Sequence, residues 1–127
     1  MSFEPEITKV HEDARGRMYS ISLPGDRELM LLFSEKGSLR GGHSHDVPEA
    51  VLMLTGKMRY HKTGDGWERR QVLTAGQGDS HPAGEVHMGE FLEDSWLIEM
   101  KLGTTRTGWH NTNYEPFRKL VEDNIRR

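Results

Sequence analysis

Apolar and β-branched runs recur at short intervals along this chain, and turn residues close each of them. The runs are Ile7–Val10, Met18–Leu23, Glu28–Ser34, Ala50–Leu54, Lys57–Lys62, Trp67–Leu73, Val86–Leu92 and Ser95–Leu102. Between them stand Pro24-Gly25-Asp26, Gly37, Gly41-Gly42, Gly64-Asp65-Gly66 and Gly76-Gln77-Gly78-Asp79. Strands this short and this evenly punctuated predict an antiparallel β-sandwich or β-barrel. Glycine supports the reading: it fills 14 of 127 positions, above the usual ~7%. Those glycines are scattered among apolar runs, so they are turn residues rather than a flexible linker. Gly64-Asp65-Gly66 is the expected tip of a hairpin.

The end of the chain follows a different period. Phe117, Leu120, Val121 and Ile125 fall at helical spacing, and Pro116 suits a first helical turn. The expectation is one domain over residues 1–127: a barrel over about 5–102, a loop over 103–114 and a helix over about 116–126. Composition narrows the partners. A net charge of -3 without a Lys/Arg cluster argues against nucleic acid. No apolar stretch approaches the ~18 residues of a membrane span. The opening MSFEPEITKV lacks the basic start and apolar run of a signal peptide, which makes the expected location the cytoplasm. The chain has no cysteine, which removes disulfides, thiol nucleophiles and thiolate zinc sites together.

The seven histidines are then the informative polar residues. His43 and His45 are two apart, so on a strand both point to one face. Glu49 follows after Pro48, and His87 stands beyond a Pro-Ala-Gly-Glu-Val turn. Three imidazoles and one carboxylate suit a borderline divalent transition metal. Three nitrogen donors make a pure Mg²⁺ or Ca²⁺ site a poor fit.

Glycine and proline frame these four residues at fixed distances. Gly37 precedes His43 by six positions, Glu49 follows His45 by four, and Gly56 closes the block. In the second block Gly76, Pro82, Gly84 and His87 follow in order. Together the blocks resemble the two sequence motifs of the cupin superfamily, departing only at Phe91, where those motifs often have Asn. The resemblance implies a double-stranded β-helix (a jelly-roll barrel). His43, His45, Glu49 and His87 would coordinate one metal inside it, whether Fe, Mn, Ni, Co or Zn. It also implies a homodimer. The segment Asp13-Ala14-Arg15-Gly16 is similar to an Asp-x-Arg-Gly element of nucleotide-sugar epimerase cupins, although it reads equally as a simple turn. Those epimerases generally use a His–Asp base without metal, which conflicts with the full ligand set here.

Strand parity gives an expected pocket lining. Glu49, Val51 and Met53 share a face, and Gly41 shares the parity of His43 and His45. Met58, Tyr60, Trp96, Ile98 and Met100 are the expected inward positions on neighbouring strands. Tyr60, Met53, His81 and Trp96 are the candidate pocket contacts, with Tyr60 first because a buried hydroxyl needs a partner. His81 is placed at the rim or behind the ligands. His61 is read with Lys57 and Arg59 as a solvated stripe, His110 as an anchor for the tail, and His11 as surface. Three functions fit: a metal-dependent isomerase or epimerase of a small oxygen-rich substrate such as a sugar or sugar acid; a non-haem Fe dioxygenase of a small organic molecule; or a non-enzymatic metal- or ligand-binding module.

Overall fold

The computed structural model describes residues 4–64 and 67–125. Eleven strands and one helix follow in order: β1 (Glu6–Asp13), β2 (Gly16–Leu23), β3 (Arg27–Ser34), β4 (Leu39–His45), β5 (Glu49–Thr55), β6 (Lys57–Gly64), β7 (Trp67–Thr74), β8 (Gly78–His81), β9 (Val86–Phe91), β10 (Ser95–Lys101), β11 (Asn111–Asn113) and α1 (Glu115–Ile125). One sheet runs β1-β2-β3-β10-β5-β8 and the other β11-β4-β9-β6-β7. Every pairing is antiparallel. β6 and β7 pair as a hairpin with Gly64 opposite Trp67; the Asp65 and Gly66 of the expected tip lie outside the described residues.

Alternation sets the core. On the inner face of the first sheet, Met18, Leu32, Leu97 and Met53 form one row across four strands. Leu32, Met53 and Leu97 pack with Val51, Met58, Tyr60, Leu73 and Phe91 between the sheets. The outward neighbours of that row, Tyr19, Leu31, Ile98 and Leu52, make a second row on the opposite face.

This register corrects the expectation for β10. Trp96, Ile98 and Met100 point outward, and Trp96 stacks near Tyr19 and against Phe33 with centroids 6.5 and 5.1 Å away. The inward set is Leu97, Glu99 and Lys101, which stand opposite Met53, Val51 and Glu49 on β5. Sequence parity placed apolar residues inside by default. A barrel with a polar interior reverses that rule where its site is built.

The C-terminal segment also holds more structure than a loop. β11 falls inside the stretch expected to be irregular and adds an edge strand to β4. Helix α1 begins within a residue of the expected start; Arg126 lies outside the described residues. Its Phe117 and Val121, one turn apart, pack on Met88 with Leu39 and Val86 alongside. Leu120, expected in the same stripe, is 46% exposed. The helix thus covers the outer face of the second sheet. His61 lies on that face as parity predicts, but it is buried, not solvated, and bonds Glu90 Oε1 at 3.1 Å. Inside the barrel Lys62 is fully buried and paired with Asp79 and Glu85, since a lone buried ammonium would be prohibitively costly. Among the described residues no helix is long and apolar enough to cross a membrane.

Candidate metal centre

Both sheets contribute to one cluster. β4 supplies His43 and His45, and β9 places His87 directly opposite His43. β5 begins at Glu49, which stands between His81 of β8 and Lys101 of β10. The ligand atoms of His45, Glu49, His81 and His87 all lie within 4.8 Å of one another. His45 Nε2 is 3.1 Å from Glu49 Oε2. His81 and His87 Nε2 are 3.1 and 3.6 Å from Oε1. The His43 ring lies alongside, its centroid 4.6 Å from that of His45 and 4.9 Å from that of His87.

The nitrogens facing the cluster are set by what holds their opposite sides. His87 Nδ1 donates to the Glu85 carbonyl at 3.1 Å, and His45 Nδ1 donates to Asn111 Oδ1. Each hydrogen bond fixes the tautomer that leaves Nε2 as a free lone pair. His45 Nε2 and both ring nitrogens of His81 are buried without an aligned hydrogen bond. Orphaned buried donors and acceptors of this kind are costly, and a cation among them satisfies several at once. The residues present therefore fit a divalent transition metal on their nitrogen and oxygen chemistry. Three of the four expected ligands, His45, Glu49 and His87, belong to the tight group. His43 borders it on the cavity side. His81, expected at the rim or behind the ligands, is buried within it.

Charge reinforces this arrangement. Burial, then the neighbouring His45, pushes the His43 imidazole down to about 4. Burial, then His81, pushes His87 down to about 2. Both are neutral at physiological pH, the state a metal ligand needs. Burial alone would raise the Glu49 carboxyl, but His45, His81 and Lys101 outweigh it and hold it well below the usual carboxylate range. Lys101 Nζ is 2.5 Å from Glu49 Oε2 and sits 4.3 Å from the ring centre of Trp109.

A cavity of about 270 Å³ opens beside the histidines. His43, His45, His87 and Tyr60 line it, together with an apolar wall that includes Met18, Met30, Leu32 and Phe91. Tyr60 turns its ring edge toward His81 and His87, at 5.7 and 5.8 Å. Met53 does not line this cavity; it is fully buried in the core beneath. Trp96, on the outer face, does not reach it either.

The charged lining was not foreseen: Arg15, Arg40, Glu99 and Lys101, with Trp109 and Asn111 at one side. Glu99 and Lys101 went unseen because of the reversed parity of β10. Arg15 comes from the two-residue turn of the β1–β2 hairpin, where both Asp13 oxygens grip its guanidinium. Asp13-Ala14-Arg15-Gly16 is thus a turn, and it also delivers a cation to the cavity. Arg40 is turned inward by an irregularity in β4: Arg40 pairs with Gly89 and Gly41 with Met88, yet His43 pairs with His87. The extra residue puts Arg40 on the face of the histidines. The Gly-Gly pair was the available signal, since glycine inside a strand often marks a bulge.

No protein-family model matches the sequence, and no curated protein does so. Solved structures do. CapF, the capsular polysaccharide assembling protein of Staphylococcus aureus, superposes with a TM-score of 0.70 at 18% identity, over 89% of this chain and 32% of that one. An oxalate decarboxylase variant from Bacillus subtilis gives 0.71 at 19% identity, over 82% and 30%. Another gives 0.73 at 15% identity, over 98% and 37%. The chain spans about a third of the length of these proteins. At such identities the likeness shows the fold.

Proposed function

We propose that this chain, a cupin barrel with a buried His/Glu cluster able to hold a metal, is an enzyme that isomerises or epimerises a small oxygen-rich acid of the sugar-acid class. The observation that carries the reading is the cavity wall beside the histidines, where Glu99 and Arg40 stand together. Burial, then the charge of Glu49, pushes the Glu99 carboxyl up to about 7. A group poised there can accept and return a proton at physiological pH, as proton transfer next to a carbonyl requires. The Arg40 guanidinium is fixed by Ser34 Oγ at 2.6 Å and the Phe33 carbonyl at 3.2 Å. Neither hydrogen-bond partner is a carboxylate, so the guanidinium can still attract an anionic group of the substrate. Met30, the cross-strand partner of Glu99, begins the apolar part of the lining.

The ligands in this reading are His43, His45, Glu49 and His87, with His81 inside the same group, its Nε2 3.1 Å from Glu49 Oε1. His43 takes the fourth place because it lines the cavity with His45 and His87. A metal bound there (Fe, Mn, Ni, Co or Zn) supplies Lewis acidity toward a substrate carbonyl.

The experiment combines metal analysis with anaerobic incubation of aldoses and sugar acids in D₂O, read by NMR. The expected result is metal-dependent deuterium incorporation with a sugar acid, falling by about 100-fold or more in Glu99→Gln. His45→Ala or His87→Ala should lose most of the metal while the β-sheet circular dichroism persists. Full occupancy in either variant would overturn the ligand assignment. Iron with substrate-dependent O₂ consumption would move the protein to the dioxygenases, and bound metal without turnover of any kind would make it a binding module.

A further inference from the structure

The candidate metal centre draws on the C-terminal segment as well as on β4, β5, β8 and β9. His45 presents Nε2 to Glu49, and its Nδ1 is held by Asn111 Oδ1, from the edge strand β11. Trp109 covers the same imidazole edge-on, with centroids 5.5 Å apart, while its face receives Lys101. Residues 109–111 therefore fix His45 in both tautomer and orientation.

This segment is strapped across the ligand strand at several points. Asn111 stands opposite His45 and Asn113 opposite His43. The His110 amide donates to Asp46 Oδ1 at 2.7 Å, the Asp46 amide to the His110 carbonyl at 3.1 Å, and the Tyr114 amide to the Gly42 carbonyl at 2.8 Å. Beyond it α1 is seated on Met88. The backbone contacts would survive any side chain at position 111. The contact to His45 Nδ1 would not.

We propose that Asn111 is a positioning residue for the metal. By accepting the His45 Nδ1 proton it holds the Nε2 lone pair toward the site, and it couples docking of the C-terminal strap to metal affinity. The inference rests on the reading of the cluster as a metal centre. Since binding energies are reciprocal, a metal that gains from the strap must also hold the strap in place.

The test uses the full chain, with Zn²⁺ and Mn²⁺ titrated against a chromophoric chelator. Asn111→Ala should bind about 10- to 100-fold more weakly, the usual loss when such an outer hydrogen bond is removed. Asn111→Asp, which can still accept from Nδ1, should recover most of that loss. The metal-free protein should keep its β-sheet circular dichroism in both variants, because the backbone bonds of residues 110–114 do not depend on the Asn111 side chain. Zn²⁺ should also slow amide exchange over residues 109–113 in the wild type and do so less in Asn111→Ala. Equal affinity in the alanine variant, or no recovery in the aspartate variant, overturns the inference while leaving the metal centre standing. Failure of the wild type to bind either ion overturns the metal reading itself, and the inference with it.

Discussion

Glu99 and the two shifted histidines pull the pH dependence of stability in opposite directions. His43 and His87 drop from 6.5 to about 4 and about 2 on folding. Below 6.5 the unfolded chain takes up protons that the folded chain refuses, so stability falls as pH falls. Glu99 rises from 4.5 to about 7. Between those values the folded chain keeps a proton the unfolded chain has released, so its contribution falls as pH rises. From pH 4.5 to 6.5 two histidines oppose one glutamate, leaving one net proton, about 1.4 kcal/mol per pH unit. Urea unfolding of the metal-free protein should show that slope over this window. Glu99→Gln should roughly double it, to about 2.7 kcal/mol per unit, because only the histidine arm remains. An unchanged slope would mean that Glu99 ionises normally in the fold.

The decisive local feature at the level of elements is the irregularity at Gly41-Gly42 in β4. Both residues have positive φ, 101° and 82°. A Cβ on Gly41 would stand 2.7 Å from the His87 carbonyl oxygen, whereas one on Gly42 would meet only the side chain of Arg118. Both substitutions strain the backbone, but only the first also presses on β9, which carries His87. Gly41→Ala should therefore cost about 2–4 kcal/mol and weaken metal binding, while Gly42→Ala costs about 1–2 kcal/mol and spares it. Urea midpoints with parallel metal titrations would check this. Equal losses from the two variants would show that contact with β9 does not set the requirement at Gly41. The same pair explains a misreading of parity. Counting by twos from His43 reaches Gly41, but the inserted residue makes Arg40 the inward neighbour.

Across the whole molecule the two outer sheet faces differ. Helix α1 covers the outer face of β4 and β9, burying Phe117 and Val121. Truncation after Tyr114 removes that cover and should lower stability by about 3–5 kcal/mol, from re-exposing two apolar side chains and the surface beneath them. A truncated chain that unfolds at the wild-type urea concentration would show that the helix contributes nothing. The Tyr19–Leu31–Ile98–Leu52 row on the outer face of the other sheet is only partly buried. The homodimer expected from the sequence is therefore proposed to pair through that face, and a monomer in sedimentation would remove it.

What the sequence determined was whatever depends on local chemistry and short spacing. Turn residues between brief apolar runs specified antiparallel strands, and Pro116 with Phe117 and Val121 specified the helix. His43, His45, Glu49 and His87, framed by Gly37, Gly56, Gly76 and Gly84, were legible as a ligand set because their order and spacing are linear properties. Tertiary structure decided which side chains face one another. Glu99, Lys101 and His81 meet Glu49 through strand register, and Arg40 turns inward through one extra residue in β4. Asn111 reaches His45 only because the chain returns to pair with β4. Register and bulges are set by pairing between segments far apart in the chain, so alternation within one strand could not reveal them. The sequence thus picked out three members of the tight group, His45, Glu49 and His87, and the fold added His81, the charges and the strap around them.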